Sequence, residues 1–379
     1  MKRTVAAIFH APMGTTEPER FVEGGRLASA EDLIRVLRPA VEQILVVSNG
    51  RDHTEQLRSL DAHVVSPDTD HPFHFGESLK RLIREHEIES LLYFGSGSGG
   101  LLSSDSIETL IEFAERQEPG ALFNNFYSCD FGVFACASSL LAIALPENDN
   151  ALGFALSDAG IPCFSLPRSI ETDFDIDTPT DLLLLRASGR GSASMRRFLG
   201  TGALEHSSIA ALCERLTDRS SLVHLSGRIN PSTWGAFERQ IACRTAGVVE
   251  GRGMHAYGDS HPLLLQRILR EDGPTAFFER LAEAADAAVL DTRPLLAVGR
   301  QLPPASDRFA SDLFLVEEIK DPRWRAFTGA AANTSIPILL GGHSLVSGGL
   351  YLLAIASWKG RELPRRLHAE PFTGRNDST

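Results

Sequence analysis

The sequence predicts an α/β protein made of two consecutive α/β domains. The chain has 379 residues, which exceeds the roughly 250–300 residues at which a single hydrophobic core stops growing. Short apolar or β-branched runs alternate with helical patterns, as they do in βαβ units and parallel sheets. A stretch rich in Gly, Ser and Arg at 187–202 separates two such regions. We therefore predict a first domain (1–190), a linker (191–206), a second domain (207–358) and a polar tail (359–379).

In the first half, apolar runs predict strands and helical patterns connect them. The run at 90–95 is almost continuously apolar, which is typical of a strand buried on both faces. Ser29 with Asp32, and Asp105 with Glu108, read as capping boxes that open helices. The predicted strands are 4–9, 44–49, 63–67, 90–95, 121–127 and 163–167. The predicted helices run from Ser29 to Leu37, briefly after Asp52, over 76–86, from Asp105 to Arg116, and over 138–145 and 148–160.

The second half repeats the alternation without any internal sequence repeat. Its apolar runs predict strands at 221–227, 246–251, 287–292 and 336–342. Helical patterns occupy 207–217, 231–242, 262–270, 274–285 and 348–357.

The composition limits the classes of partner. Acidic residues outnumber basic ones by 49 to 37, giving a formal charge of −12, so we expect no nucleic-acid partner and no attraction to an anionic membrane. No window reaches the roughly 18 consecutive apolar residues of a membrane span. We expect a soluble, cytoplasmic protein.

The segment 174–182, FDIDTPTDL, is the most informative for function. Thr178 suits a helix N-cap, Pro179 the first helical position, and Asp181 the acid of a capping box, so these residues have a structural explanation. Asp175 and Asp177 remain unexplained. Alternating on a strand, they would point the same way at its carboxyl end, where open α/β sheets bind ligands. Two carboxylates there can hold Mg²⁺.

With these residues and the strand–turn–helix segment LLYFGSGSGGLLSSDSIETL, residues 1–190 resemble the molybdenum-cofactor and phospholactate nucleotidyltransferases. The resemblance implies a Rossmann-like GT-A fold and a nucleotide or phosphorylated substrate that is bound with a divalent metal. Asp175 and Asp177 are our candidates for the catalytic residues that bind this Mg²⁺. The resemblance also implies phosphate contacts from two loops, at Ser96, Gly97 and Ser98 and at Gly14 and Arg20.

One residue and one loop depart from the family's pattern. Ser98 stands where the family has a metal-binding aspartate, and a hydroxyl is a weaker ligand. The first loop, HAPMGTTEPERF, has one glycine, Gly14, and one cation, Arg20, although a triphosphate needs several free amides and fixed cations. Three functions therefore stay open for this domain: an active nucleotidyltransferase, a related enzyme that binds a nucleotide-sugar or another phosphorylated ligand with one metal through Asp175 or Asp177, and a catalytically degenerate binding or scaffolding module.

The second domain offers a further candidate site, without resemblance to a known family. Gly341, Gly342, His343 and Ser344 follow an apolar strand and precede a helix, a layout whose free amides can bind an anion; close helix–strand packing explains the glycines equally well. Polar residues also end the other strands of this half, where His343 can act as an acid or base and the arginines can bind phosphate. The arginines are Arg228, Arg252 and Arg293, which can alternatively pair with Glu250 and Asp291.

Overall fold

The computed structural model describes residues 3–49, 51–67, 72–202, 204–249, 264–297 and 302–362. It confirms the α/β class, with eleven strands in two sheets among these residues. The strands are β1 (Thr4–Phe9), β2 (Gln43–Val47), β3 (His63–Val65), β4 (Ser90–Gly95), β5 (Gly120–Phe123), β6 (Phe131–Ala135), β7 (Cys163–Ser165), β8 (Leu222–Gly227), β9 (Arg244–Val249), β10 (Ala287–Asp291) and β11 (Ile338–Gly341).

Fifteen α-helical segments surround the sheets in the same part of the chain. They are α1 (Glu17–Leu37), α2 (Arg51–Arg58), α3 (Phe75–Glu85), α4 (Ser104–Ala114), α5 (Leu152–Asp158), α6 (Ile170–Asp173), α7 (Pro179–Ser188), α8 (Ala193–Thr201), α9 (Ser207–Thr217), α10 (Pro231–Glu238), α11 (Leu264–Ala284), α12 (Thr292–Leu296), α13 (Ala305–Asp312), α14 (Pro322–Ala332) and α15 (Gly348–Trp358). Single turns of 3₁₀ helix occur at Asp149–Ala151, Val316–Glu318 and Ser344–Val346, and a longer one at Ala137–Ala142.

The first sheet has the strand order β3-β2-β1-β4-β6-β5-β7. β6 runs antiparallel to both of its neighbours, whereas the other pairs are parallel. The second sheet, ordered β11-β10-β8-β9, is entirely parallel. Because side chains alternate along a strand, each sheet buries apolar residues on both faces.

One hydrophobic cluster joins the two halves of the chain. Leu182–Leu185 of α7 pack in it with residues of α15, α9 and one face of the second sheet. The segment predicted as a linker contains α8, which packs on α1. The division into two domains therefore remains a proposal that rests on the two sheets.

Helix α1 begins well before the predicted start at Ser29. Thr16 and Glu19 form the capping box, and a proline follows the cap. Asp32, predicted as a capping-box residue of this helix, accepts hydrogen bonds from the Ser194 and Met195 amides of α8 at 2.9 and 3.0 Å.

Other elements also differ from the predictions. β6 was not predicted, and residues 124–127, predicted as strand, lie in a turn after β5. Residues 137–142 form a 3₁₀ helix where an α-helix was predicted over 138–145. The two helices predicted at 262–270 and 274–285 are found as the two parts of α11, which are separated by the non-helical backbone of Gly273 before Pro274. None of the described helices combines the length and apolar composition of a membrane-spanning segment.

Candidate functional site

A cleft of about 700 Å³ lies where the two sheets present the carboxyl ends of their parallel strands to each other. Ser96 and Gly97, which follow β4, and the loop 173–178 line it from the first half. The segments that follow β8, β10 and β11 line it from the second half, through Arg228, Arg293 on α12, and residues 342–344. The structure therefore brings polar residues from both predicted sites into one cleft.

Asp175 and Asp177 both line this cleft, on an extended loop rather than on the predicted strand. Asp175 Oδ1 accepts a hydrogen bond from the Ile176 amide at 2.9 Å, and the Asp175 amide donates to Ser344 Oγ at 3.2 Å. Burial, reinforced by the neighbouring charge of Asp177, holds the pKa of Asp175 well above its usual value. A side chain at Gly97 would begin 2.5 Å from Asp175 Oδ1, so the loop after β4 packs directly on this carboxyl group.

Asp181 holds the loop in place, as the predicted T-P-x-D cap requires. Its Oδ2 accepts hydrogen bonds from the Asp177 and Thr178 amides at 3.0 and 2.7 Å, which fixes the backbone beneath Asp177. Burial, followed by the charge of Asp177, raises the pKa of Asp181 to about 8. Thr180 Oγ1 donates to the carbonyl of Leu340 at 2.8 Å and ties α7 to the second sheet.

Two of the predicted phosphate-binding arginines form ion pairs. Arg228 Nε and Nη2 lie 2.6 and 3.1 Å from the two carboxylate oxygens of Asp291. Arg293 binds both oxygens of Asp312, at 2.6 and 2.7 Å, and its side chain is only 8% exposed. The alternative of ion pairing therefore holds for Arg228 with Asp291, while Arg293 pairs with an acid that the sequence did not indicate. Arg252 and Glu250 lie outside the described residues.

The first loop does not form a phosphate cradle. Gly14 and Arg20 are not among the residues that line the cleft, and Arg20 is exposed. The Met13 and Thr16 amides donate to the Glu23 and Glu19 carboxylates, both at 3.1 Å. Acids of the chain thus occupy amides that a phosphate would need.

Ser98 is also turned away from the cleft. It is buried, with its hydroxyl within hydrogen-bonding distance of the carbonyl oxygens of Gly95 and Asp130, at 2.9 and 3.0 Å. These contacts explain the serine as a turn residue. Ser96 does line the cleft, where its hydroxyl lies 3.1 Å from His10 Nδ1.

Gly342, His343 and Ser344 reach the cleft, whereas Gly341 does not line it. The carbonyl of Gly341 accepts from Arg293 and from Thr292 Oγ1. His343 is half-buried in the cleft wall.

Six charged residues of the cleft were not identified from the sequence: Arg26, Asp130, Glu147, Asp149, Asp173 and Arg308. Arg26 Nε donates to the Ile176 carbonyl at 2.7 Å, with Nη2 3.7 Å from Asp177 Oδ1. Burial and the charge of Asp130 raise the pKa of Asp149 to about 7. Arg26 lies in a stretch predicted as a loop, and no element was predicted around Arg308. The local sequence therefore did not indicate either residue as part of a site.

Aromatic side chains form another part of the wall. Phe9 lies between Phe73 and Phe75, with ring centroids 6.2 and 5.4 Å apart, and all three line the cleft. Phe73 is 56% exposed, which leaves ring surface for a ligand. Planar groups stack on such surfaces.

No protein-family model matches the chain, and no curated protein matches its sequence. Among solved structures, the chain is similar to a nucleotidyl transferase from Methanothermobacter thermautotrophicus, with 21% identity and a TM-score of 0.39 over 53% of this chain and 99% of that one. A cytidylyltransferase from Leptospira borgpetersenii is similar at 13% identity and a TM-score of 0.39, over 54% of this chain and all of that one. The CMP:2-keto-3-deoxy-manno-octonic acid synthetase, solved with CTP, covers 49% of this chain at 13% identity and a TM-score of 0.36, and 97% of its own chain is matched.

Proposed function

We propose that this chain is a nucleotidyltransferase-like protein that binds a nucleotide or another phosphorylated small molecule, together with a divalent cation, in the cleft between the sheets. The observation that carries the proposal is the pair Asp175 and Asp177, which shares the cleft with arginine side chains. Carboxylates can bind the cation and arginines can bind phosphate oxygens. The cation and the phosphate group of a metal–nucleotide complex thus each have candidate binding residues in the cleft.

The carboxyl pair fits Mg²⁺ by its chemistry. Among the described residues, no group of three or more His, Cys, Asp or Glu side chains is arranged to hold a metal. Mg²⁺ commonly takes only one or two carboxylates and completes its shell with water and substrate phosphates. Burial, followed by the charge of Asp177, raises the pKa of Asp175, and a bound cation would oppose the repulsion between the two carboxylates. Bound there, Mg²⁺ would neutralise phosphate charge and polarise a phosphoryl oxygen.

A catalytically degenerate binding module is the second candidate. Two observations favour it: Ser98 uses its hydroxyl inside a turn, and Glu19 and Glu23 occupy amides of the first loop. Such a protein would still bind the ligand in the cleft. Release of pyrophosphate from a nucleoside triphosphate separates the two candidates, because only an active transferase produces it.

The proposal is tested by Asp175→Asn combined with Asp177→Asn. Wild-type protein is expected to gain about 2.7 kcal/mol of stability at a nucleotide–Mg²⁺ concentration 100 times its Kd, and the double variant should lose this gain. Its ligand-free stability should equal or exceed that of the wild type, since two repelling carboxyl groups are removed. Thermal melts with a panel of nucleoside triphosphates and MgCl₂ measure both quantities.

Asp158→Asn is the matched control, because Asp158 is exposed at the end of α5 and does not line the cleft. An unchanged response to nucleotide and Mg²⁺ in the double variant would contradict the proposed site. A marked loss of ligand-free stability would instead assign the two aspartates a structural role.

Phe73→Ala is expected to weaken binding of the nucleotide by about 1–3 kcal/mol if its base stacks on the exposed ring. Binding of inorganic pyrophosphate, which has no planar group, should be unaffected. Isothermal titration calorimetry compares the two ligands. Phe164→Ala is the control, since Phe164 is also exposed but contacts Phe113 away from the cleft. Equal losses for both ligands would contradict a stacking role.

A further inference from the structure

Arg308 projects from α13 into the cleft, at a place where both halves of the chain hold that helix. α13 packs against α1 and α7 on one side and against β11 on the other. Its apolar residue Phe309 is buried in the cluster that joins the halves, while Arg308 lines the cleft. The position of this guanidinium is therefore set by the packing of the fold and not by a surface loop.

Arg308 differs from the other arginines of the cleft in having no acidic partner. Arg26 lies beside Asp177, Arg228 pairs with Asp291, and Arg293 pairs with Asp312. Within the described ranges, Arg308 forms no ion pair, and its buried Nε has no hydrogen-bond partner.

The arrangement of α13 explains the missing partner. Asp312 lies four residues after Arg308 on the same helix, where an ion pair is expected. Both oxygens of Asp312 are already bound by Arg293, at 2.6 and 2.7 Å. Arg308 is thus left with a buried donor whose burial is costly without an acceptor.

The surroundings of Arg308 favour an anionic acceptor. Burial is the main cause that lowers its pKa, and the charge of the neighbouring Arg293 adds to it. An anion placed beside Arg308 would favour the charged guanidinium and so oppose this lowering. The guanidinium fork matches the paired oxygens of a phosphate group, which it can bind with two parallel hydrogen bonds.

We propose that Arg308 binds a phosphate group of the ligand directly, so that the second half of the chain supplies the anion-binding subsite that the first loop lacks. This inference rests on the proposed function for the identity of the ligand. The subsite itself requires no metal, because its partner is the guanidinium. The amides of Met13 and Thr16 in the first loop donate to Glu23 and Glu19, so they are not available to bind phosphate.

The test uses the full chain with inorganic pyrophosphate in buffer that contains EDTA, with NaCl at matched ionic strength as the reference. Pyrophosphate is expected to raise the melting temperature of the wild type, and Arg308→Gln should weaken its binding about tenfold to a hundredfold. Arg308→Lys, which keeps the charge but not the fork, should bind with intermediate affinity. Arg323→Gln is the control, because Arg323 is 52% exposed on α14 and should leave binding unchanged.

Equal binding of pyrophosphate by the wild type and Arg308→Gln would overturn the proposal, as would no response of the wild type to pyrophosphate. Because Arg308 has no ion pair to lose and only a distant contact with the Phe309 ring, at 5.9 Å, Arg308→Gln should fold with unchanged or higher stability. The Asp175→Asn, Asp177→Asn variant should keep its metal-free response to pyrophosphate. If nucleotides with Mg²⁺ gave no response while the pyrophosphate response still required Arg308, the subsite would stand and the nucleotidyltransferase-like function would fail.

Discussion

Replacing Arg293 by methionine is expected to lower the free energy of unfolding by about 3–5 kcal/mol, the usual cost of breaking one side of a buried ion pair. Arg293 binds both oxygens of Asp312, and both residues are buried. Without the guanidinium of Arg293, Asp312 must take up a proton or keep a buried charge that only Arg308, four residues earlier on α13, is placed to offset. Urea denaturation of the two proteins measures the difference.

The loss of stability in Arg293→Met should depend on pH. Burial raises the pKa of Asp312 in the folded protein, and Arg293 opposes that rise. In the variant the folded-state pKa should rise further above the unfolded value, so the protonated carboxyl is tolerated at low pH and stability falls as pH increases. We expect a larger deficit at pH 8 than at pH 5.

Arg323→Met is the matched control for this experiment. Arg323 and Asp321 form an exposed pair at 3.4 Å, and pairs of that kind contribute about 0–1 kcal/mol. A change for Arg293→Met no larger than that of the control would show that the buried pair does not stabilise the fold.

Gly348→Ala is expected to have the second largest effect, a loss of about 1–3 kcal/mol or more from overpacking. A Cβ at position 348 would lie 2.2 Å from Phe174 Cα and 2.5 Å from Phe174 N. These are backbone atoms of the loop that carries Asp175, so a side-chain rotation cannot make room. The variant should therefore lose both stability and binding of the nucleotide–Mg²⁺ complex.

Gly200→Ala provides the control, since a Cβ at position 200 meets no atom within 4 Å. Alanine is also the better helix former, so this variant should be as stable as the wild type or slightly more so. Melting curves and a titration with nucleotide and MgCl₂ compare the two alanine variants. Wild-type stability and binding in Gly348→Ala would show that the loop after Phe174 moves freely.

The predictions that succeeded rest on local rules. α9 was predicted at 207–217 and is found there, and the cap formed by Thr178 and Asp181 follows from spacing alone. The meeting of residues 228, 293 and 343 at one edge needed only the parallel direction of the strands. Such features depend on neighbours in sequence or on one topological rule.

The features that were missed depend on partners far along the chain. The first turns of α1 were predicted as part of a loop, and they contain Gly24 and Gly25. Gly25 lies against Leu182, where a Cβ would be 2.4 Å from the leucine side chain, so tertiary packing outweighs the low helix propensity of glycine. β6 is held by pairing on both edges with β4 and β5. Arg308 lacks an ion pair because Arg293 binds both carboxylate oxygens of Asp312. The spacing of residues in the sequence does not reveal this relation between three residues.

Helix α7 has consequences for how this chain can be divided or recombined. Every residue from Pro179 to Leu185 is buried, so this part of the helix has no solvent-exposed face. A boundary at residue 190 would expose the apolar surface of α7 in the first fragment, and in the second fragment it would expose the apolar surface that packs against α7. We therefore expect neither fragment to fold stably when the chain is divided at residue 190.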